Sequence, residues 1–278
     1  MTNQKTLITA AITGGEIDKA DVPHLPATPT EIARAAEECE AVGAAMIHIH
    51  VRDESGAPTL DLARITETVA AVREASSLVV QLSTGGSITD PFEERLGVLE
   101  ARPESCSITL GTVNFGDGVF SNPWGFIVEL FQEAKRQEVV PEFEIFELGH
   151  IATLRRLIDA EGLPFGGKVH CDLVLGVPGA APGLPRIVQT AVDMFPEEVT
   201  SWSATGIGRS TLPVALASLA LGGNLRVGME DTLTFARHRP VRDNAELVER
   251  ARDLAVLAQR PPLTPDEARS LLAVRTAR

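Results

Sequence analysis

The sequence predicts a closed (β/α)8 barrel of the TIM type, folded as one domain over residues 1–278, and three observations predict it. Short β-branched runs alternate with longer stretches of helical period, which is the signature of βα units on a parallel sheet. The strand candidates number eight, the count at which such a sheet closes on itself. A chain of 278 residues is of ordinary length for one such barrel. An open doubly wound sheet is the competing arrangement.

The strand candidates are residues 7–12, 46–51, 79–83, 105–110, 141–146, 168–175, 199–204 and 225–228. The first runs into Thr13-Gly14-Gly15-Glu16, after which Thr30 is placed to cap a helix over 31–42 that stops before Gly43. The second is Met46-Ile47-His48-Ile49-His50-Val51, with both histidines on one face and the aliphatic residues on the other. The third ends in Ser83-Thr84-Gly85-Gly86, and Asp90 then caps a helix with Pro91 at its first position. Strand four carries Ser107 and Thr109 on one face and Ile108 and Leu110 on the other, and Glu142, Glu144 and Glu147 crowd strand five. Strand six holds His170-Cys171-Asp172, in which only His170 and Asp172 share a face. Strand seven leads into Gly206-Ile207-Gly208-Arg209 and strand eight into Gly228-Met229-Glu230-Asp231. Residues 244–259 form the closing helix, and Thr264-Pro265-Asp266-Glu267 starts a short helical extension.

Composition narrows the function. Hydrophobic residues make up 44% and charged ones 23%, as in folded globular proteins. A net charge of -13 opposes general attraction to nucleic acid, which rests on Lys and Arg neutralising phosphates. No stretch approaches the roughly 20 apolar residues of a membrane span, and residues 1–6 lack the basic-then-apolar layout of a signal peptide, so a cytoplasmic setting is expected. Cys39, Cys106 and Cys171 are odd in number and set in apolar contexts, which points to buried thiols rather than disulfides or thiolate ligands.

In a barrel the chemistry collects at the C-terminal ends of the strands. His48 and His50 offer two imidazoles to a zinc ion, and a catalytic zinc needs one further protein ligand and an open position. Strands one, two and eight are neighbours once the barrel closes, so Glu230 is placed to complete a His, His, Glu set. Taken alone, Glu230-Asp231 also reads as the carboxylates of a helix start. Ser83-Thr84-Gly85-Gly86 reads as a tight turn or as a place where amides approach a carboxylate. Independently of zinc, Gly206, Gly208 and Arg209 stand where barrels often hold phosphate groups, and they are candidates to grip a phosphate. His24, His150 and His238 read as solvent-facing or capping residues, and Glu144 as support for a histidine or for Arg226.

Seven segments in one order resemble the β-keto acid cleavage enzymes: Thr9–Gly14, the His48/His50 pair, Ser83–Gly86, Gly111–Asp117, Leu175–Gly179, Gly206–Arg209 and Gly228–Asp231. The resemblance spans nearly the whole chain. It implies a zinc-dependent barrel, commonly a homotetramer, that converts a β-keto acid and acetyl-CoA into acetoacetate and a new CoA thioester. It further implies zinc on His48, His50 and Glu230, substrate contacts from Glu16, Ser83, Gly86 and a strand-four hydroxyl of Ser107 or Thr109, and chemistry at Arg226 and Asp231.

Chelation of the keto oxygen would polarise the carbonyl and ease loss of the proton between ketone and carboxylate. A guanidinium normally keeps its proton, so Asp231 is either the base beside a charged Arg226 or the group that tunes Arg226. The family often has threonine and asparagine where this chain has Ser107 and Thr109, a departure that bears on the substrate. Rival readings are a metal-dependent hydrolase or aldolase on the same barrel, and a non-catalytic binding protein. The amidohydrolase type places its His-x-His pair on the first strand and needs further ligands that are missing here.

Overall fold

The structure is a computed structural model that describes residues 5–20 and 22–275. Residues 1–4, on which most of the leader reading falls, and residue 21 lie outside the described residues. Eight parallel strands close into a barrel in chain order: Ile8–Ala11, Met46–Ile49, Val79–Leu82, Ser105–Thr109, Val140–Ile145, Val169–Leu175, Val199–Gly206 and Asn224–Val227. The first strand pairs with the eighth through Ile8 and Leu225, Thr9 and Arg226, and Ala10 and Val227, which excludes the open sheet.

A helix follows each strand, from Pro29–Ala41 to Asn244–Leu257. Alternation divides each strand between these helices and the lumen. Ile8, Ile47, Val80 and Leu225 face outward into one apolar cluster, and Cys106, Ile108, Phe143 and Cys171 into another. The three cysteines are buried free thiols. Burial pushes the Cys39 and Cys106 thiols upward in pKa, so they stay unreactive. Inward positions are largely polar, among them His48, Gln81, Glu142, His170, Asp172, Ser203 and Arg226, all buried. This departs from barrels whose interior is packed with branched aliphatic side chains.

Apolar side chains gather at the floor of the barrel. There Leu7, Met46, Val79 and Val140 meet Ala268 and Leu272 of the extension helix Pro265–Leu272, so the C-terminal helix plugs the N-terminal end. Thr264 and Glu267 cap this helix reciprocally, and Arg269 Nε donates to Glu104 Oε1 at 2.8 Å.

Two helix starts differ from expectation. The first helix begins at Pro29 with Thr28, not Thr30, as its cap: Thr28 Oγ1 accepts from the Glu31 amide at 3.2 Å and Glu31 Oε2 accepts from the Thr28 amide at 3.0 Å. The Thr-x-x-Glu spacing outweighs the proximity of Thr30. The helix Phe92–Gly97 is preceded by Pro91 at its cap, and Asp90 is not the cap. Its Oδ2 instead accepts from the amides of Gly86 and Ser87, both at 2.6 Å, and closes the turn after strand three. The closing helix stops at Leu257, two residues before Gln259, whose φ of 61° leaves helical space. Two short hairpins were not expected, Val113–Phe115 with Gly118–Phe120 and Thr234–Ala236 with Arg239–Pro240.

Candidate active site

The C-terminal ends of the strands surround a cavity of about 500 Å³. Its wall includes His50, Glu230, Asp231, Arg226 and the expected residues Glu16, Ser83, Gly86, Ser107 and Thr109. His48 is fully buried inside strand two, and His50 lies one residue past the strand end, with ring centroids 5.2 Å apart. Glu230 reaches them because the chain turns sharply out of strand eight. At Gly228 a Cβ would lie 1.8 Å from the Ala11 carbonyl oxygen, so only glycine permits this crossing over strand one. The Glu230 amide then donates to Ala11 O at 3.2 Å. On the other side Gly14, at φ +71°, leaves room for the Glu230 side chain, whose Cγ would stand 2.8 Å from an added Cβ.

One ligand atom from each of His48, His50 and Glu230 lies within 4.8 Å of the others. Nε2 of His48 and of His50 lie 3.7 and 3.6 Å from Glu230 Oε1. His48 Nε2 and Glu230 Oε2 are buried without a hydrogen-bond partner, a costly state that a bound cation relieves. Burial holds the His48 imidazole pKa down at about 4, so the ring is neutral and able to donate a lone pair. Two imidazoles and one carboxylate are a donor set suited to a divalent transition metal.

Arg226, on strand eight, is buried among carboxylates. Nη2 bonds Glu230 Oε1 and, at 3.1 Å, Asp231 Oδ1, while Nη1 lies 3.4 Å from Glu144 Oε1. Burial alone would lower its pKa, but Asp231, Glu230 and their neighbours hold it well above the usual arginine value. Burial raises the Asp231 carboxyl to about 7, with Arg226 pulling it back and Glu230 repelling. Burial also raises Glu144, whose Oε2 accepts from Thr109 Oγ1 at 2.8 Å. Glu144 therefore supports Arg226 rather than a histidine.

Glu16 is exposed at the rim, on a loop clamped by Arg52. The buried Arg52 guanidinium donates to the carbonyls of Gly14 and Ile17 at 2.6 and 2.7 Å. Ser83 Oγ donates to Gly85 O at 2.9 Å, and Ser107 lends its carbonyl to Thr84 Oγ1 at 2.8 Å. In the loop after strand seven, Gly208 N donates to Asp231 O at 2.7 Å, Gly206 O accepts from Thr211 Oγ1 at 2.8 Å, and Arg209 is exposed. His170 and Asp172 do share the lumen side, but with different partners: His170 Nε2 meets Glu142 Oε2 at 3.1 Å and Asp172 Oδ2 accepts from Thr205 at 2.7 Å. His24 and His238 are exposed as expected. His150 is not solvent-facing: it is buried and its Nδ1 accepts from the Phe146 amide at 3.3 Å.

Sequence reasoning missed Gln81, whose Oε1 lies 2.6 Å from His48 Nδ1, and Arg52. Both carried a signal. Gln81 is the polar residue in an apolar run, and Arg52 continues the period-two series of His48 and His50. The aromatic wall formed by Phe115, Phe120 and Phe146 depends on the unexpected hairpin.

The chain is 36% identical over 273 residues to a 3-keto-5-aminohexanoate cleavage enzyme of Acetoanaerobium sticklandii, covering 98% of this chain and 99% of that protein. It is 32% identical over 276 residues to a 3-oxoadipate:acetyl-CoA acetyltransferase of Cupriavidus necator, covering 98% and 95%. Among solved structures, apo ObcA superposes with a TM-score of 0.75 at 21% identity over 91% of this chain and 66% of that one, a likeness of fold. The family description "beta-keto acid cleavage enzyme" matches residues 5–274, and with the two relatives above it shows that this chain belongs to the β-keto acid cleavage enzyme family.

Proposed function

We propose that this protein condenses a β-keto acid with acetyl-CoA, releasing acetoacetate and a new acyl-CoA. One observation carries the reading: His48, His50 and Glu230 converge, and two of them, His50 and Glu230, share a cavity wall with the Arg226–Asp231 pair. The acetyl-CoA transferase names of two relatives, the second a 3-dehydrocarnitine:acetyl-CoA trimethylamine transferase of Rhizobium meliloti, 33% identical, support acetyl-CoA as co-substrate.

His48, His50 and Glu230 would hold a zinc ion, which supplies Lewis-acid polarisation of the keto oxygen. Arg226, surrounded by three carboxylates, keeps its proton and places a fixed positive charge beside the reacting atoms. That leaves Asp231 to accept the proton from the carbon between ketone and carboxylate. This carbon then attacks the acetyl thioester carbon and expels CoA thiolate. The thiolate adds to the original ketone carbon, the adjacent carbon–carbon bond breaks, and Asp231 returns its proton to the departing carbon of acetoacetate.

Glu16, Ser83, Gly86, Ser107 and Thr109 are assigned to the keto acid. Thr109 acts through the Glu144–Arg226 contacts as well as facing the cavity. Gly206, Gly208 and Arg209 are assigned to the CoA end, where Arg209 is the exposed charge. A cytoplasmic homotetramer completes the reading, supported by the family resemblance and by the free buried thiols. A panel of β-keto acids incubated with acetyl-CoA, read by mass spectrometry, tests it. Acetoacetate and one new CoA ester should appear in equal amounts, and a panel yielding no CoA ester would sink the proposal.

A further inference from the structure

One buried amide beside the metal-ligand set has no part in the chemistry above. Gln81 sits in the third strand between Val80 and Leu82 and is 0% exposed. Strand register sets it across from His48 on one side and Ser105 on the other. Its Oε1 lies 2.6 Å from His48 Nδ1, and its Nε2 donates to Ser105 Oγ at 3.2 Å. An apolar side chain would be cheaper to bury there, since a buried amide must have both ends satisfied.

A neutral imidazole carries one hydrogen, and which nitrogen bears it depends on the partner of the other. An amide oxygen only accepts, so against Gln81 Oε1 the hydrogen belongs on Nδ1. The lone pair is then on Nε2, the buried atom without a partner that looks toward Glu230. With the other tautomer, a hydrogen would sit on the atom a metal needs. We propose that Gln81 is a positioning residue that selects the Nδ1–H form of His48, fixes the ring's rotation, and so sets metal affinity at the His48/His50/Glu230 site.

The inference rests on the zinc reading above. Ligating histidines commonly lean on a carboxylate. Here Glu142, Glu144, Asp172 and Asp231 are already buried, Glu230 is half-buried, and three of these five carboxylates contact Arg226, so an amide orients the ring without a further negative charge.

The test uses metal-stripped protein, zinc titration against a chromophoric chelator, and 15N spectra of the imidazoles. Gln81→Met keeps the volume and removes the acceptor; zinc affinity should fall about 10- to 100-fold and the His48 signals should lose their Nδ1–H pattern. Gln81→Glu, which keeps an acceptor, should restore affinity to at least that of the parent. A folded Gln81→Met variant with the parent's zinc affinity overturns the inference, as does a folded Gln81→Glu variant that fails to restore it. Should Gln81→Met not fold, the parent spectrum decides, because an Nε2–H ring on His48 overturns the proposal and an Nδ1–H ring supports it. A parent that takes up no zinc overturns the metal reading and this inference with it, whereas tight zinc in both parent and Gln81→Met removes only the role of Gln81.

Discussion

Glu230 reaches the histidines through two residues that have no side chain. Gly228 lets the strand-eight exit cross the Ala11 carbonyl, and Gly14 clears the space that the Glu230 side chain fills. The His-x-His spacing is readable from alternation alone, and the third ligand follows once strands one and eight are neighbours. Purified protein should carry about one zinc per chain. His48→Ala should lose both zinc and activity while the fold persists, and full metal in that variant by elemental analysis would refute the ligand assignment. Glu16 stands at the rim, on the loop held by Arg52. If it receives a cationic or hydrogen-bonding substrate tail, Glu16→Gln should lower kcat/KM by about tenfold on the best substrate. A change within twofold would remove that contact.

Among the elements, period-two alternation identified every barrel strand to within about two residues, because each of these strands buries an aliphatic face under helices, whereas the four hairpin strands carry no such face. The misplaced helix starts show where local reasoning fails. Thr28 and Thr30 both precede an acidic residue, but only Thr28 has Glu31 three positions on. Asp90 is spent on the Gly86 and Ser87 amides, a demand of the loop that no helix rule registers. In the loop after strand seven, Gly208 is bound to the strand-eight exit and Arg209 is exposed, the charge proposed above for the CoA end. Arg209→Ala should raise the KM for acetyl-CoA about fivefold or more, with zinc content and the KM for the keto acid unchanged. An unaltered acetyl-CoA KM would leave this loop a structural role only.

At the scale of the whole molecule, a polar lumen sits above a floor plugged by the last helix, and acid stability follows from what that interior holds. His150 is buried neutral, its pKa lowered by burial from 6.5 to about 4. The unfolded chain therefore takes up the proton first as pH falls below 6.5. The stability His150 contributes is full above that value and is lost progressively down to about 4. Between pH 7 and 5, metal-stripped His150→Gln should lose on the order of 1–2 kcal/mol less stability than the parent, measured by denaturant unfolding at each pH. Equal losses would show that the histidine is not held neutral. Sequence by itself determined the barrel, its eight strands and the zinc-ligand candidates, because alternation and strand ends are local properties with one geometric outcome; chemistry at Arg226 and Asp231 was implied only by the family resemblance. Tertiary structure alone decided which buried polar groups meet. Gln81 under His48, Glu144 on Arg226 and Arg52 on the Glu16 loop are contacts between residues 33, 82 and 38 positions apart, made by strand register and loop packing that no local pattern encodes.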